Sequence, residues 1–146
     1  MNTMTSHSEV ELPRTMWFKF ATAGMAHFTV RNPETKQHIA VRITTSKAAP
    51  TWRYVRCAGY EVGKLAYNHL SDTWVWIPKP EIAQDPAGNK AAGKFQWFWN
   101  NLVSGSLPTG FQVLHMGRCG KCGRDLTDPK SIHMGIGPEC RKTMGL

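Results

Sequence analysis

Alternation of apolar and polar residues predicts an antiparallel sheet in the first half of the chain. Ala26–Arg31 and His38–Ile43 each alternate, so Phe28, Val30, Ile39, Val41 and Ile43 share one face. Between them, Asn32-Pro33-Glu34-Thr35-Lys36 has the composition of a hairpin turn. Thr51–Cys57, Leu65–Tyr67 and Thr73–Ile77 are further β-rich pieces, giving four or five strands in all. Prolines 78, 80 and 86 then close the sheet region and predict an irregular linker through Gly88. The period changes to that of a helix over Asn89–Val103, where Phe95, Phe98, Trp99, Leu102 and Val103 form one stripe and Gly105 supplies a stop. Gly110–Leu114 reads as a strand. Residues 1–15 are polar and without periodicity and are expected to form a flexible leader, with order beginning near Met16-Trp17.

Beyond that strand the pattern gives way to cysteine and glycine. Cys119-Gly120-Lys121-Cys122-Gly123 is a knuckle, two thiols converging from one tight turn, and Gly135-Ile136-Gly137-Pro138-Glu139-Cys140 returns a third. Zinc is the expected occupant. The fourth ligand is first sought at His115, in the order His115-x3-Cys119-x2-Cys122-x17-Cys140, with His133 as rival and Cys57, a carboxylate or water as further alternatives. A disulfide or a group of buried thiols is the competing reading. Asp128-Pro129 reads as a helix cap and first residue, opening a turn through Ile132 that Gly135 closes. Pro138 to Met144 is a second short helix, stopped by Gly145. Cys140 then falls in the first turn, where free N–H groups favour its thiolate.

The overall expectation is an α+β fold: a small antiparallel sheet packed by one amphipathic helix over residues 16–110, followed by a treble-clef or zinc-ribbon-like module over residues 111–146. Chelation is expected to loosen that module first. The string from His115 to Cys140, with its CGRxLT, Pro-x-Ser and GIGPxC steps, resembles a small Cys-rich domain of unknown function common in phage, prophage and actinobacterial proteins. The resemblance covers residues 115–142, and Ala26–Val30 with Thr35–Ile43 are more weakly similar to a hairpin of phage proteins carrying that tail. It implies zinc binding and a phage or prophage setting, a histidine before the knuckle as at His115, and no particular activity.

Charge narrows the partner. The 146 residues carry a formal net charge of +8 and six tryptophans, a combination suited to nucleic acid, whose phosphates release counterions to Lys and Arg and whose bases stack on rings. Around the knuckle, Arg118, Lys121, Arg124, Lys130, Arg141 and Lys142 outnumber Asp125, Asp128 and Glu139. Arg31, Lys36 and Arg42 add to them from the hairpin, and Trp97, off the helix stripe, is a candidate exposed ring. The leading expectation is thus a non-catalytic zinc protein that binds nucleic acid or a nucleoprotein. A protein-binding inhibitor of a bacterial defence system, for example an anti-CRISPR protein, is the alternative, and a metal-dependent nuclease comes third. Catalytic signatures are absent: there is no H-x-E with P-C-x-x-C, no Asp-His dipeptide, no nucleophile elbow, P-loop or dinucleotide fingerprint. No run approaches the roughly 18 apolar residues of a membrane span. The unpaired Cys57 fits a reducing compartment, and the expected location is the cytoplasm of a bacterial host cell.

Overall fold

The computed structural model describes residues 9–46 and 49–146. Its frame is one seven-stranded antiparallel sheet in the order β1-β7-β2-β3-β4-β5-β6. The strands are β1 (Val10–Glu11), β2 (Met25–Arg31), β3 (His38–Thr45), β4 (Trp52–Cys57), β5 (Tyr60–Asn68), β6 (Thr73–Pro78) and β7 (Gln112–His115). The expected hairpin is β2–β3, with Phe28 opposite Val41 and Val30 opposite Ile39. β5 extends well beyond the expected Leu65–Tyr67, because Ala58 and Gly59 both take positive φ (51° and 86°) and turn β4 straight back into it.

Two helices cover one face of this sheet. α1 (Trp17–Ala21) is too short to announce itself by periodicity, yet it buries Trp17, Phe20 and Ala21. α2 (Pro86–Ser104) starts three residues before the expected Asn89. Pro86 is not linker but the first helical residue, and the Asp85 side chain caps the turn by accepting from the N–H groups of Ala87 and Gly88. Phe95, Phe98 and Trp99 are buried as the stripe predicts, each phenylalanine contributing about 1.5–3 kcal/mol. Val103 departs from the stripe and is exposed at the helix end. The Trp99 indole also donates to the carbonyl of Trp74 at 3.0 Å, fixing α2 across β6.

The expected leader ends sooner than residue 15. Residues 1–8 lie outside the described residues, whereas Val10–Glu11 pairs with β7 and Leu12 is fully buried, its carbonyl accepting from the Trp17 indole at 3.0 Å. A two-residue strand has no periodicity to read, which is why composition misjudged it. β7 lies between β1 and β2, so the strand that leads into the cysteines is an interior strand of the sheet. One core cluster accordingly runs from Val55 and Leu65 through Phe28 and Phe20 to Cys119 and Ile136.

Candidate metal centre

The cysteine segment is built on backbone contacts to the sheet. After β7, Gly117 turns at φ 82° and a bridge between Arg118 and Asp125 closes a small hairpin. Within it the Cys119 N–H donates to the Arg124 carbonyl at 2.8 Å, and the Gly123 N–H to the Cys119 carbonyl at 2.9 Å. Gly120 joins both neighbours: its carbonyl accepts from Met25 at the start of β2, and its N–H donates to Gly135. α3 (Pro129–Met134) runs two residues past the expected Ile132. Asp128 caps it through Ser131 N–H, and Gly135 ends it at φ 76°. Ile136, fully buried, plugs the chain into the core before α4 (Pro138–Met144) begins.

These turns bring the sulfurs of Cys119, Cys122 and Cys140 within 4.8 Å of one another, all as free thiols. No two of them are joined as a disulfide here, and the three groups are close enough to hold a metal ion. Burial opposes ionisation of Cys119, but N–H groups of Gly137, Cys122 and Lys121 outweigh it and hold the thiol down at about 7. The N–H donors of Lys121 and Gly137 lie 3.5 and 3.4 Å from that sulfur. Cys140 behaves in the opposite sense to the sequence expectation. Burial, followed by the neighbouring Cys119 and Cys122, pushes it up to about 12.

His115 does not join the sulfurs. Its ring is completely buried, Nε2 donates to the Ile132 carbonyl at 2.7 Å, and Nδ1 accepts from the Gly117 N–H at 2.9 Å. With both nitrogens engaged, the ring is a neutral strut between β7 and α3. Burial lowers its pKa, against the opposing pull of Ile132. His133 is exposed on α3 and Cys57 is buried in β4, where burial pushes its thiol up to about 12; neither belongs to the cluster. A cavity of about 430 Å³ opens over the three sulfurs and is lined also by Asp125, Asp128 and Glu139. Asp128 is occupied in capping α3, its carboxyl held below the usual range by Ser131.

The expected partner-binding groups divide. Arg118, Arg124, Lys130 and Lys142 are exposed, and Lys121 is half-buried. Arg118 makes only a loose pair with Asp125, 3.8 Å apart. Arg141 is turned inward, donating from Nη1 to the Ser131 hydroxyl and to the Ile136 carbonyl at 2.7 Å each, and so ties α4 to α3. Trp97, the candidate exposed ring, is 45% exposed and packs on Phe111 in a groove with Lys94 and Phe98, apart from the cysteine cavity. Ser131, fully buried and accepting from Arg141, is the serine of the Pro-x-Ser step, a signal that marked the position but not its contact. The N–H donors onto Cys119 were readable in part, since a knuckle aims the amide two residues on at its first sulfur.

Among the described residues, no helix is long and apolar enough to cross a membrane. Residues 111–145 match the model of DUF6011, a family of unknown function. No curated protein and no solved structure matches the chain.

Proposed function

We propose that Cys119, Cys122 and Cys140 hold a structural zinc ion, and that the protein binds nucleic acid or a nucleoprotein through the cations arranged around it. The observation that carries this reading is the convergence of three free thiols within 4.8 Å, one of them with its pKa already lowered to about 7. A tetrahedral ion with Zn–S bonds of about 2.3 Å sets its sulfurs about 3.8 Å apart, a small contraction from this geometry. Soft thiolates favour zinc over the oxygen-seeking cations. When bound, the ion would tie the knuckle to α4 and offset two of the three thiolate charges. The layout, a knuckle followed by a helix carrying the last cysteine, is that of a reduced treble clef. Since His115 is engaged elsewhere, the fourth position falls to water or to a carboxylate lining the cavity.

Nucleic acid is favoured by the chain's net charge of +8 and by exposed Arg118 and Arg124 at the rim of the knuckle. The resemblance to phage-associated Cys-rich domains supports a setting in the cytoplasm of an infected or lysogenic bacterial cell. Purified protein is expected to contain one equivalent of zinc and to bind a labelled oligonucleotide with an affinity that falls as salt rises. Arg118→Glu with Lys121→Glu should weaken binding about tenfold without releasing the metal. No retention on DNA, RNA or heparin at low salt would remove the nucleic-acid reading. Capture of a host protein complex that persists after nuclease treatment would replace it with the defence-inhibitor alternative.

A further inference from the structure

The sheet has a second face, and along β3 and β4 it is open: Ala40, Arg42, Trp52, Tyr54 and Arg56 are all exposed there. Its register places His27 on β2 directly opposite Arg42 on β3, and Arg42 directly opposite Arg56 on β4. Arg42 and Arg56, facing each other across strands, repel, and an anion lying over them relieves that repulsion. Only two ion pairs form among the described residues, and neither includes Arg42 or Arg56. Two carboxylates lie on this side: Glu61 on β5, directly opposite Arg56, pairs with Lys79 at 3.7 Å, and Glu11 accepts from Gln112 at 2.9 Å. A shallow groove of about 440 Å³ runs along the row, floored by Thr29 and Ala40, with Met116 of the knuckle at its end. The local field is positive enough that burial, Arg42 and Arg118 together lower the pKa of His27.

Aromatic rings stand next to this row. Trp52 and Tyr54 project from the same side of β4 as Arg56, and they remain 37% and 40% exposed. The Lys64 ammonium lies over one face of the Trp52 ring, 3.5 Å from its centroid, so a base stacking on that face takes the place of this cation. We propose that this open face is a platform for single-stranded nucleic acid, with phosphates along the His27–Arg42–Arg56 row and bases stacked on Trp52 and Tyr54. The proposal rests on the nucleic-acid reading above and gives it a strand type and a path. Charge complementarity selects a polyanion. Exposed rings select one whose bases have free faces, which a duplex withholds. An acidic protein would use the cations and leave the rings without a role.

The test is fluorescence anisotropy with labelled oligo(dT) of about 20 nucleotides, longer than a site of about 4–16 nucleotides. Trp52→Ala with Tyr54→Ala should weaken binding about tenfold or more, the loss of base stacking. Arg42→Gln with Arg56→Gln should weaken it and reduce the slope of log affinity against log salt by about 1.4, two phosphate contacts at about 0.7 each. Lys19→Gln with Lys90→Gln, the same charge change on the helical side, should leave that slope nearly unchanged. Circular dichroism and zinc content verify folding, and Trp52→Phe, which keeps a ring, should retain most of the affinity.

The possible failures separate cleanly. Native protein that binds no oligonucleotide overturns both readings. Binding that survives all sheet-face substitutions but not Arg118→Glu with Lys121→Glu overturns this proposal and leaves the knuckle reading standing. Duplex bound as tightly as oligo(dT), or poly(Glu) competing as well as oligo(dT), overturns the assignment to a single strand.

Discussion

His115 shows how a metal-ligand spacing and a core contact are told apart. The ring sits four residues before Cys119, as a ligand would, but its two nitrogens already bridge Gly117 and Ile132. Replacing it removes a donor and an acceptor from buried partners and should cost about 1–3 kcal/mol for each group left unpaired. His115→Leu is therefore expected to lower the melting temperature while keeping one equivalent of zinc; Cys119→Ser should lose the metal. Loss of zinc from His115→Leu in still-folded protein would reinstate the ring as a ligand. The same residue gives the stability a pH dependence of definite sign. Its folded pKa lies below the unfolded value of 6.5, so the unfolded chain binds the extra proton. The contribution is complete above that value and is lost as pH falls through it, and the native curve should be steeper there than that of His115→Leu.

At the scale of elements, glycines decide how closely the cysteine segment approaches the sheet. Gly135 closes α3 at φ 76°, and a Cβ built on it would lie 2.8 Å from both Leu12 and Phe20. Gly145 closes α4 at φ 73° with nothing within 4 Å. The two share their backbone strain and differ in space. Gly145→Ala should cost about 1 kcal/mol in urea unfolding, and Gly135→Ala visibly more, about 1–3 kcal/mol of overpacking on top. Equal losses would mean that Phe20 yields without cost. These elements also show what was legible beforehand. The β2–β3 hairpin and α2 declare themselves, since Val41 and Ile43 alternate with Arg42, and Phe95, Phe98 and Trp99 recur at helical spacing. The convergence of the three cysteines was readable from spacing and glycine alone. β1 and α1 were not, because two and five residues hold no repeat, and Leu12 is buried by a strand some hundred residues away. The contact of His115 with Ile132 was not readable, because the two meet only through the fold.

Considered as a whole molecule, the cysteine segment is bound into the sheet and does not hang from it. β7 carries the chain from the interior of the sheet, between β1 and β2, directly to the knuckle, and the core that holds Phe28 and Val30 also holds Cys119 and Ile136. Gly120 further joins the start of β2 to the end of α3. Releasing residues 115–146 would strip one side of Phe20 and leave Leu12 without its cover, so local opening exposes core that the rest of the fold needs. The looser coupling expected from sequence, in which the tail frees itself first, is hard to reconcile with these contacts. Metal removal by a strong chelator should therefore lower a single thermal transition, with near-ultraviolet and far-ultraviolet dichroism changing together, because binding to the folded chain alone shifts its whole equilibrium. Hydrogen exchange makes the test local. On chelation, amides of β2 and β7 should gain exchange alongside those of α3. Exchange confined to residues 115–146, with β2 still protected, would show that the segment unfolds as a separate unit despite its shared core.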